Sequence, residues 1–271
     1  MRIAYTGWTW LVNHNDNQVW EFEQFLRETA DLGYQEVENF AFIADYFGGD
    51  AARVREMLDR YGLKMANLYQ HFSEDDEKDF ENALKFIAFM KGIGAKHLNL
   101  QAVMWNDAPF VRPLDEEKIK KYAALSNRIG LLCRDNGILA CFHPHAQTAI
   151  YHQDEIQMYL DHTDPRLVSL CLDTAHTTIA GMDAVEAFQR WLPRLGYVHL
   201  KDVDPGLAKS EHPMQAFCEL GVGTIDFRGI YKVLREGGYD GVLCVELDSR
   251  PVCNYKSAMI SRQYLHNALG L

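Results

Sequence analysis

The stretch Val168-Ser169-Leu170-Cys171-Leu172-Asp173-Thr174-Ala175-His176 changes character along its length: a β-forming, apolar opening gives way to residues able to bind a metal. A parallel strand covered by helices on its outer face and buried within a barrel on the other reads as a continuous apolar run. Asp173 therefore marks the point where such a strand emerges. Three further segments end the same way: Cys141-Phe142-His143-Pro144-His145, Tyr197-Val198-His199-Leu200-Lys201-Asp202 and Val245-Glu246-Leu247-Asp248. Successive strands are thus expected to deliver polar groups to one rim. Side chains alternate along a strand, so if Asp173, His199 and Glu246 face inward, Cys171, Tyr197 and Cys244 do too, forming a floor beneath them.

Working outward, short β-forming segments alternate with longer stretches of helical periodicity, the pattern of βαβ units in a parallel sheet. Eight strand candidates can be counted: 3–7, 36–39, 64–68, 97–101, 139–143, 168–173, 197–201 and 242–247. Glycines at 33, 62, 94, 137 and 238 close the helical stretches a few residues before the next strand, giving the short αβ loops of packed neighbours. With 271 residues the chain suits one (β/α)8 TIM barrel of about 250 residues, and a single domain over residues 1–271 is expected. A doubly wound open sheet also alternates, but no G-x-G-x-x-G follows the first strand. The two longest strand-to-helix loops, 105–113 and 202–221, are expected at the carboxyl-terminal rim, where barrel enzymes build their sites.

Composition narrows the function. Hydrophobic residues make up 48% and charged residues 24% of the chain, and no apolar run approaches the roughly 20 residues of a membrane span. Met1-Arg2-Ile3-Ala4-Tyr5 enters a strand pattern directly, without the features of a signal peptide, so a cytoplasmic location is expected. The 6 cysteines show no C-x-x-C pair and are expected to be reduced thiols. A formal charge of -11 opposes a phosphate backbone. The expected partner is a small neutral molecule, with neither nucleic acid nor membrane, and assembly into a homo-oligomer is compatible with the sequence.

Taken singly, a strand-end aspartate often caps the next helix and a lone histidine often satisfies a core hydrogen bond. Converging in one barrel mouth, Asp173, His199 and Glu246 would be desolvated and mutually repulsive without a cation. Mixed imidazole and carboxylate donors suit zinc, manganese or cobalt.

Leu172-Asp173-Thr174-Ala175-His176, Val198-His199-Leu200-Lys201-Asp202, Gly221-Val222-Gly223-Thr224-Ile225-Asp226-Phe227 and Val245-Glu246 resemble motifs of the xylose isomerase-like superfamily of sugar isomerases and epimerases. The resemblance implies an eight-stranded barrel holding one divalent metal ion, with Asp173, His199 and Glu246 as ligands. The superfamily normally adds a glutamate from the fifth strand, and this chain lacks it. His143-Pro144-His145 is similar to the His-x-His of the inosose (2-keto-myo-inositol) dehydratase and isomerase branch. The fourth ligand is expected to be His143, with Cys141 as the alternative.

A metal-chelated polyol or ketose with an acidified α-proton is the implied substrate state. Glu246, His143, His145 and His176 are candidates for moving that proton, and Lys201 for stabilising oxyanion charge or pairing with Asp202. Isomerase, epimerase and dehydratase outcomes stay open. Trp8, Tyr69, His71, Gln101 and Trp105 are candidate substrate contacts, with Trp10 and Phe72 as further aromatic candidates and Glu38 and Asn67 as polar ones. Two rivals are a non-catalytic sugar-binding barrel and a metal phosphodiesterase of the endonuclease IV type.

Overall fold

The computed structural model describes residues 1–11, 18–104, 114–208, 213–248 and 253–271. Its strands are β1 (Arg2–Thr6), β2 (Glu36–Phe40), β3 (Lys64–His71), β4 (His97–Gln101), β5 (Leu139–Phe142), β6 (Val168–Asp173), β7 (Leu195–Leu200), β8 (Asp202–Val203), β9 (Phe217–Cys218) and β10 (Val242–Val245). Eight of them close a barrel in the order β1-β10-β7-β6-β5-β4-β3-β2, every neighbouring pair parallel, while β8 and β9 form a separate antiparallel pair. The expected (β/α)8 barrel is therefore the observed one. Among the described residues no helix is long and apolar enough to cross a membrane.

Local chemistry explains where the helices start and stop. Asp50, Asp75, Asp115, Asp183 and Asp226 each accept a backbone N–H of the first turn of the helix that follows, satisfying an otherwise orphaned donor. At the other end, Gly94 takes φ +81° after the helix Asp76–Ile93, a left-handed conformation that costs a residue without Cβ little. Outward-facing strand residues such as Leu98, Leu100, Phe142, Leu170, Leu172, Val198 and Leu243 pack under the helices in the main core. Each such burial is worth roughly 1.5–3 kcal/mol. Inward-facing Ala4, Ala66, Cys141, Cys171, Tyr197, Val242 and Cys244 form a second buried cluster inside the barrel, which includes the expected floor.

Two irregularities in the ladders aim side chains at the rim. Val37 pairs with Met65 but Glu38 pairs with Asn67, so Ala66 is an extra residue in β3. Leu170 pairs with Leu195 but Cys171 pairs with Tyr197, so Gly196 is an extra residue in β7. Such a bulge shifts the alternation of everything beyond it: Asn67, Tyr69 and His71 in β3, and Tyr197 and His199 in β7, acquire the facing they need. The β7 bulge also demands a glycine, because a Cβ at 196 would lie 2.7 Å from both Cys141 Sγ and Ser169 Cβ.

Beyond β7 the chain folds back on itself through β8 and β9. Asp202, buried, accepts backbone N–H groups from Gly221 and Gly223 at 3.0 Å each and from Ile225 at 3.0 Å. The glycine-containing motif of residues 221–227 is thus wrapped around one carboxyl group. Gly223 must be small, since a Cβ there would meet Val203 O at 2.3 Å and Asp202 Oδ1 at 2.4 Å. The same fold-back lays the Phe217 ring over the Lys201 ammonium at 5.0 Å and beside His176 at 4.9 Å.

Gly196→Ala is expected to lower stability by about 1–3 kcal/mol, the usual cost of overpacking a full interior, read as a lower urea midpoint. Adding Cys141→Ala should recover part of the loss, since it removes one of the three colliding groups, Cys141 Sγ, Ser169 Cβ and Leu139 Cδ2, and the effects of touching residues are not additive.

Candidate metal centre

Four side chains from four different strand ends meet at the mouth of the barrel: His143 just past β5, Asp173 at the end of β6, His199 in β7 and Glu246 just past β10. All are buried, and one donor atom from each lies within 4.8 Å of the others. His199 Nδ1 stands 2.9 Å from Glu246 Oε2 and 3.9 Å from Asp173 Oδ2. Four atoms, His143 Nε2, Asp173 Oδ2, His199 Nδ1 and Glu246 Oε2, are fully buried yet accept or donate no aligned hydrogen bond. The close approach of His199 Nδ1 to Glu246 Oε2 lacks hydrogen-bond geometry, so proximity alone does not satisfy either atom. A buried polar atom without a hydrogen bond carries a desolvation cost, and four such atoms facing one another, only the two carboxylate oxygens of them near a cation, the Lys201 ammonium, make a donor set that could hold a metal ion.

Each donor is held from behind. His143 donates Nδ1–H to the Cys171 carbonyl at 3.1 Å, leaving its Nε2 lone pair toward the centre. His199 donates Nε2–H to Glu38 Oε2 at 3.0 Å, and Asn67 Nδ2 donates to the same oxygen at 2.8 Å. This is the carboxylate–histidine pairing that orients metal-binding imidazoles. Glu38 and Asn67 stand behind His199, not in the cavity, so they are not placed to recognise substrate hydroxyls. Asp173 divides its two oxygens: Oδ1 accepts the N–H groups of Ala175 at 2.7 Å and His176 at 2.8 Å, capping the helix Thr174–Ile179, while Oδ2 faces the centre. Capping and cation binding are therefore compatible roles of one side chain.

Cys141 lies apart from this quartet, in the inward-facing cluster below it. Burial raises its thiol well above the ordinary range, so it stays protonated. Of the two sequence alternatives for the fourth donor, the structure brings His143 to the centre.

Lys201 is fully buried beside the quartet, its Nζ 3.3 Å from Asp173 Oδ2, 2.9 Å from Glu246 Oε2 and 2.7 Å from Asp248 Oδ2. Burial alone would strip its proton, but Asp173, Asp248 and Glu246 outweigh that effect and keep it an ammonium. Its partner is Asp248 and not Asp202, whose oxygens are taken by backbone amides. His176 completes the group: Nδ1 accepts the Ala146 N–H at 3.3 Å and Nε2 lies 3.5 Å from Asp248 Oδ2. Its ring packs against His145 with centroids 3.9 Å apart.

Next to the centre is a cavity of about 130 Å³ lined by Trp8, Phe40, Tyr69, His71, Gln101, Met104, His145, Met214, Glu246 and Asp248. Trp8, Tyr69, His71 and Gln101 therefore come together as their strand-end positions suggest, and Tyr69 donates its hydroxyl to Gln101. Trp105 lies outside the described residues. Trp10 and Phe72 pack elsewhere, Trp10 with Tyr5 and Glu28, Phe72 with Tyr122. Phe40, which sequence reasoning does not single out, supplies much of the aromatic wall, 4.6 Å from Trp8 and 5.0 Å from Tyr69. Its signal is faint: one aromatic residue at the end of a strand that is otherwise unusually polar, Glu36-Val37-Glu38-Asn39.

A family model described as xylose isomerase-like TIM barrel matches residues 26–265. The chain belongs to that family. Among curated proteins, inosose dehydratase of Geobacillus kaustophilus is 28% identical over 268 residues, covering 90% of this chain and 86% of its own. Among solved structures, the probable 3-DHS dehydratase AsbF of Bacillus anthracis superposes with a TM-score of 0.79 at 15% identity, over 99% of this chain and 100% of that one. The IolI protein with a binding zinc atom gives 0.77 at 17% identity, over 98% and 97%. At those identities the structural likeness speaks for the xylose isomerase-like fold.

Glu38→Ala is expected to weaken metal affinity about 10- to 100-fold, the usual effect of losing the partner behind a metal-binding imidazole, read by competition with a chromophoric chelator. Metal retention is also expected to fall as pH drops. Burial raises Asp173, to about 6, while Cys171, Glu246 and Glu38 hold His199 above its ordinary value against burial. Both must be deprotonated at the donor atom to bind a cation, so acidification favours the proton over the metal.

Proposed function

We propose that this chain is a divalent-metal-dependent enzyme that removes an α-proton from a small polyhydroxy ketone, and that its reaction is the dehydration of a keto-cyclitol of the inosose type. The observation that carries the reading is the quartet of buried donor atoms of His143, Asp173, His199 and Glu246, none with an aligned hydrogen bond, of which Glu246 also lines the adjoining cavity of about 130 Å³. Zinc, manganese and cobalt suit two imidazoles and two carboxylates. When bound, the ion supplies Lewis acidity to a carbonyl oxygen and so acidifies the neighbouring C–H.

The chain's own groups supply the rest. Trp8, Phe40 and Tyr69 give a flat apolar wall for the C–H face of a ring and exclude water. Lys201 places a permanent positive charge beside the donors, where oxyanion charge accumulates as the proton leaves. Dehydration is preferred over isomerisation or epimerisation because curated relatives matching over nine-tenths of this chain are named inosose dehydratases, and His143-Pro144-His145 resembles the histidine motif of that branch.

The two rivals fare less well. Keeping four matched donors with their supporting hydrogen bonds has no purpose in a barrel that merely binds sugar. A multi-metal phosphodiesterase needs further cations near the first, and the Lys201 ammonium fills the space bordered by Asp173, Glu246, Asp248 and His176.

The test is turnover. Purified protein stripped with a chelator and reloaded with Mn, Co or Zn should convert inosose to a product lighter by one water, followed by mass spectrometry, with fructose, psicose and hydroxypyruvate as competing substrates. Asp173→Ala, Glu246→Ala and His143→Ala should lose both bound metal and turnover, whereas Cys141→Ser should keep both. Metal bound at about one ion per chain, with none of the four compounds consumed, would overturn the reading in favour of a non-catalytic barrel.

A further inference from the structure

A second cavity, of about 400 Å³, lies at the other end of the barrel, where the strands begin. Its walls come from Arg2 at the start of β1, His97 of β4, Leu139 of β5, Leu195 of β7 and the turn 237–241 ahead of β10. The four candidate metal donors stand at or just past the opposite ends of their strands. In a barrel of parallel strands the two cavities therefore open on opposite faces, and the reaction proposed above uses nothing in this one.

His97 is the buried polar group here, only 8% exposed. Its Nδ1 lies 3.0 Å from the Ala66 carbonyl, and a carbonyl can only accept, so the hydrogen is on Nδ1 and the lone pair on Nε2. Burial, opposed by the bond to Ala66 and reinforced by the Arg2 charge, holds the ring below its ordinary pKa and keeps it neutral. Nε2 makes no hydrogen bond to a described residue and is not sealed in protein, so it is open to the cavity. A buried lone pair of this kind needs a donor.

Charges of both signs share the same walls. The Arg2 guanidinium is half exposed, and its nearest acidic neighbour, Glu36 Oε1, is 3.6 Å from Nε, so its outer nitrogens keep their hydrogens free. Asp240 is exposed, and its carboxyl has no partner among the described residues. Arg2 N donates to Gly241 O at 3.0 Å, which holds the two charged residues to one edge of the cavity. Leu139, Leu192 and Leu195 form an apolar shelf, Leu139 being 37% exposed. The Tyr239 hydroxyl is already used, donating to Val242 O at 2.9 Å.

We propose that this amino-terminal cavity binds a free aliphatic α-amino acid. An ammonium is all donor, so one group serves both the Asp240 carboxylate and His97 Nε2. The ligand carboxylate pairs with the Arg2 fork, and the aliphatic side chain covers leucines that otherwise face water. One cation and one anion on the wall match a zwitterion, whereas a simple acid or a simple amine leaves one of them unpaired.

Calorimetric titration of the full-length protein with leucine tests this. One leucine should bind per chain, with equal affinity in metal-loaded and chelator-stripped protein, because the metal centre lies at the other end of the barrel. Isocaproate, which lacks the ammonium, and isoamylamine, which lacks the carboxylate, should each bind at least about 10-fold more weakly, the loss expected for a hydrogen bond to a charged group. Arg2→Gln and Asp240→Asn, both at exposed positions, should weaken leucine binding by a similar factor. No saturable binding of leucine up to about 10 mM, equal binding of leucine and either analogue, wild-type affinity in either variant, or binding that disappears with the metal would each overturn the assignment.

Discussion

The site depends on a single electrostatic constraint: the buried carboxyls of Asp173 and Glu246 converge with the partly exposed Asp248 at the barrel mouth, and their charge must be met largely from within. Lys201 meets part of it, and a fully buried lysine stays charged only because those carboxylates surround it. Four donor atoms face one another without an aligned hydrogen bond, Asp173 Oδ2 and Glu246 Oε2 being offset by the Lys201 ammonium alone, which is the condition under which a bound cation relieves desolvation instead of adding to it. Every supporting interaction follows from this. His199 is fixed by Glu38, His143 by the Cys171 carbonyl, and Asp173 by the first turn of its own helix, because donors that could rotate away would leave the charge uncompensated.

The scaffold meets that constraint through its irregularities more than through its regularity. A perfectly alternating β7 from Leu195 would turn His199 away from the partners it has, and Gly196 corrects the phase by adding one residue where no side chain fits. Ala66 does the same in β3 for Tyr69 and His71. The cavity wall and the candidate metal donors are thus brought to one rim by two bulges on nearly opposite parts of the barrel. The small side chains of the floor, Ala4, Ala66 and three cysteines, leave room for the backbone to make those corrections.

This division explains what can be read from the residues alone. The alternation of elements and the glycine ends of helices are local and periodic, so the eight strands are legible to within a few residues. Asp173, His199 and Glu246 are legible because a charged or polar group breaking an apolar strand has few reasons to be there. Glu38 is harder: Glu36-Val37-Glu38-Asn39 carries little apolar pattern, and its carboxyl acquires meaning only through His199, far along the sequence and adjacent in space. The partner of Lys201 depends likewise on where Asp202 is used, and four backbone amides with widely separated numbers claim Asp202. Bulges are invisible in composition, since Gly196 looks like the start of a strand.

The replacement of a glutamate by His143 among the donors carries a chemical consequence. An imidazole donor brings no negative charge, so a divalent ion held by two carboxylates and two imidazoles keeps more of its own charge than one held by three carboxylates. The Lys201 ammonium adds to the positive potential in the same small volume. Both effects favour states in which negative charge builds on a substrate oxygen, and they act in a cavity where aromatic walls limit screening by water. A reaction that must both stabilise an oxyanion and release hydroxide gains from this at each stage, whereas a simple proton return gains only at the first. The donor set and the lysine therefore add support, on physical grounds independent of any relative's name, to the elimination proposed above.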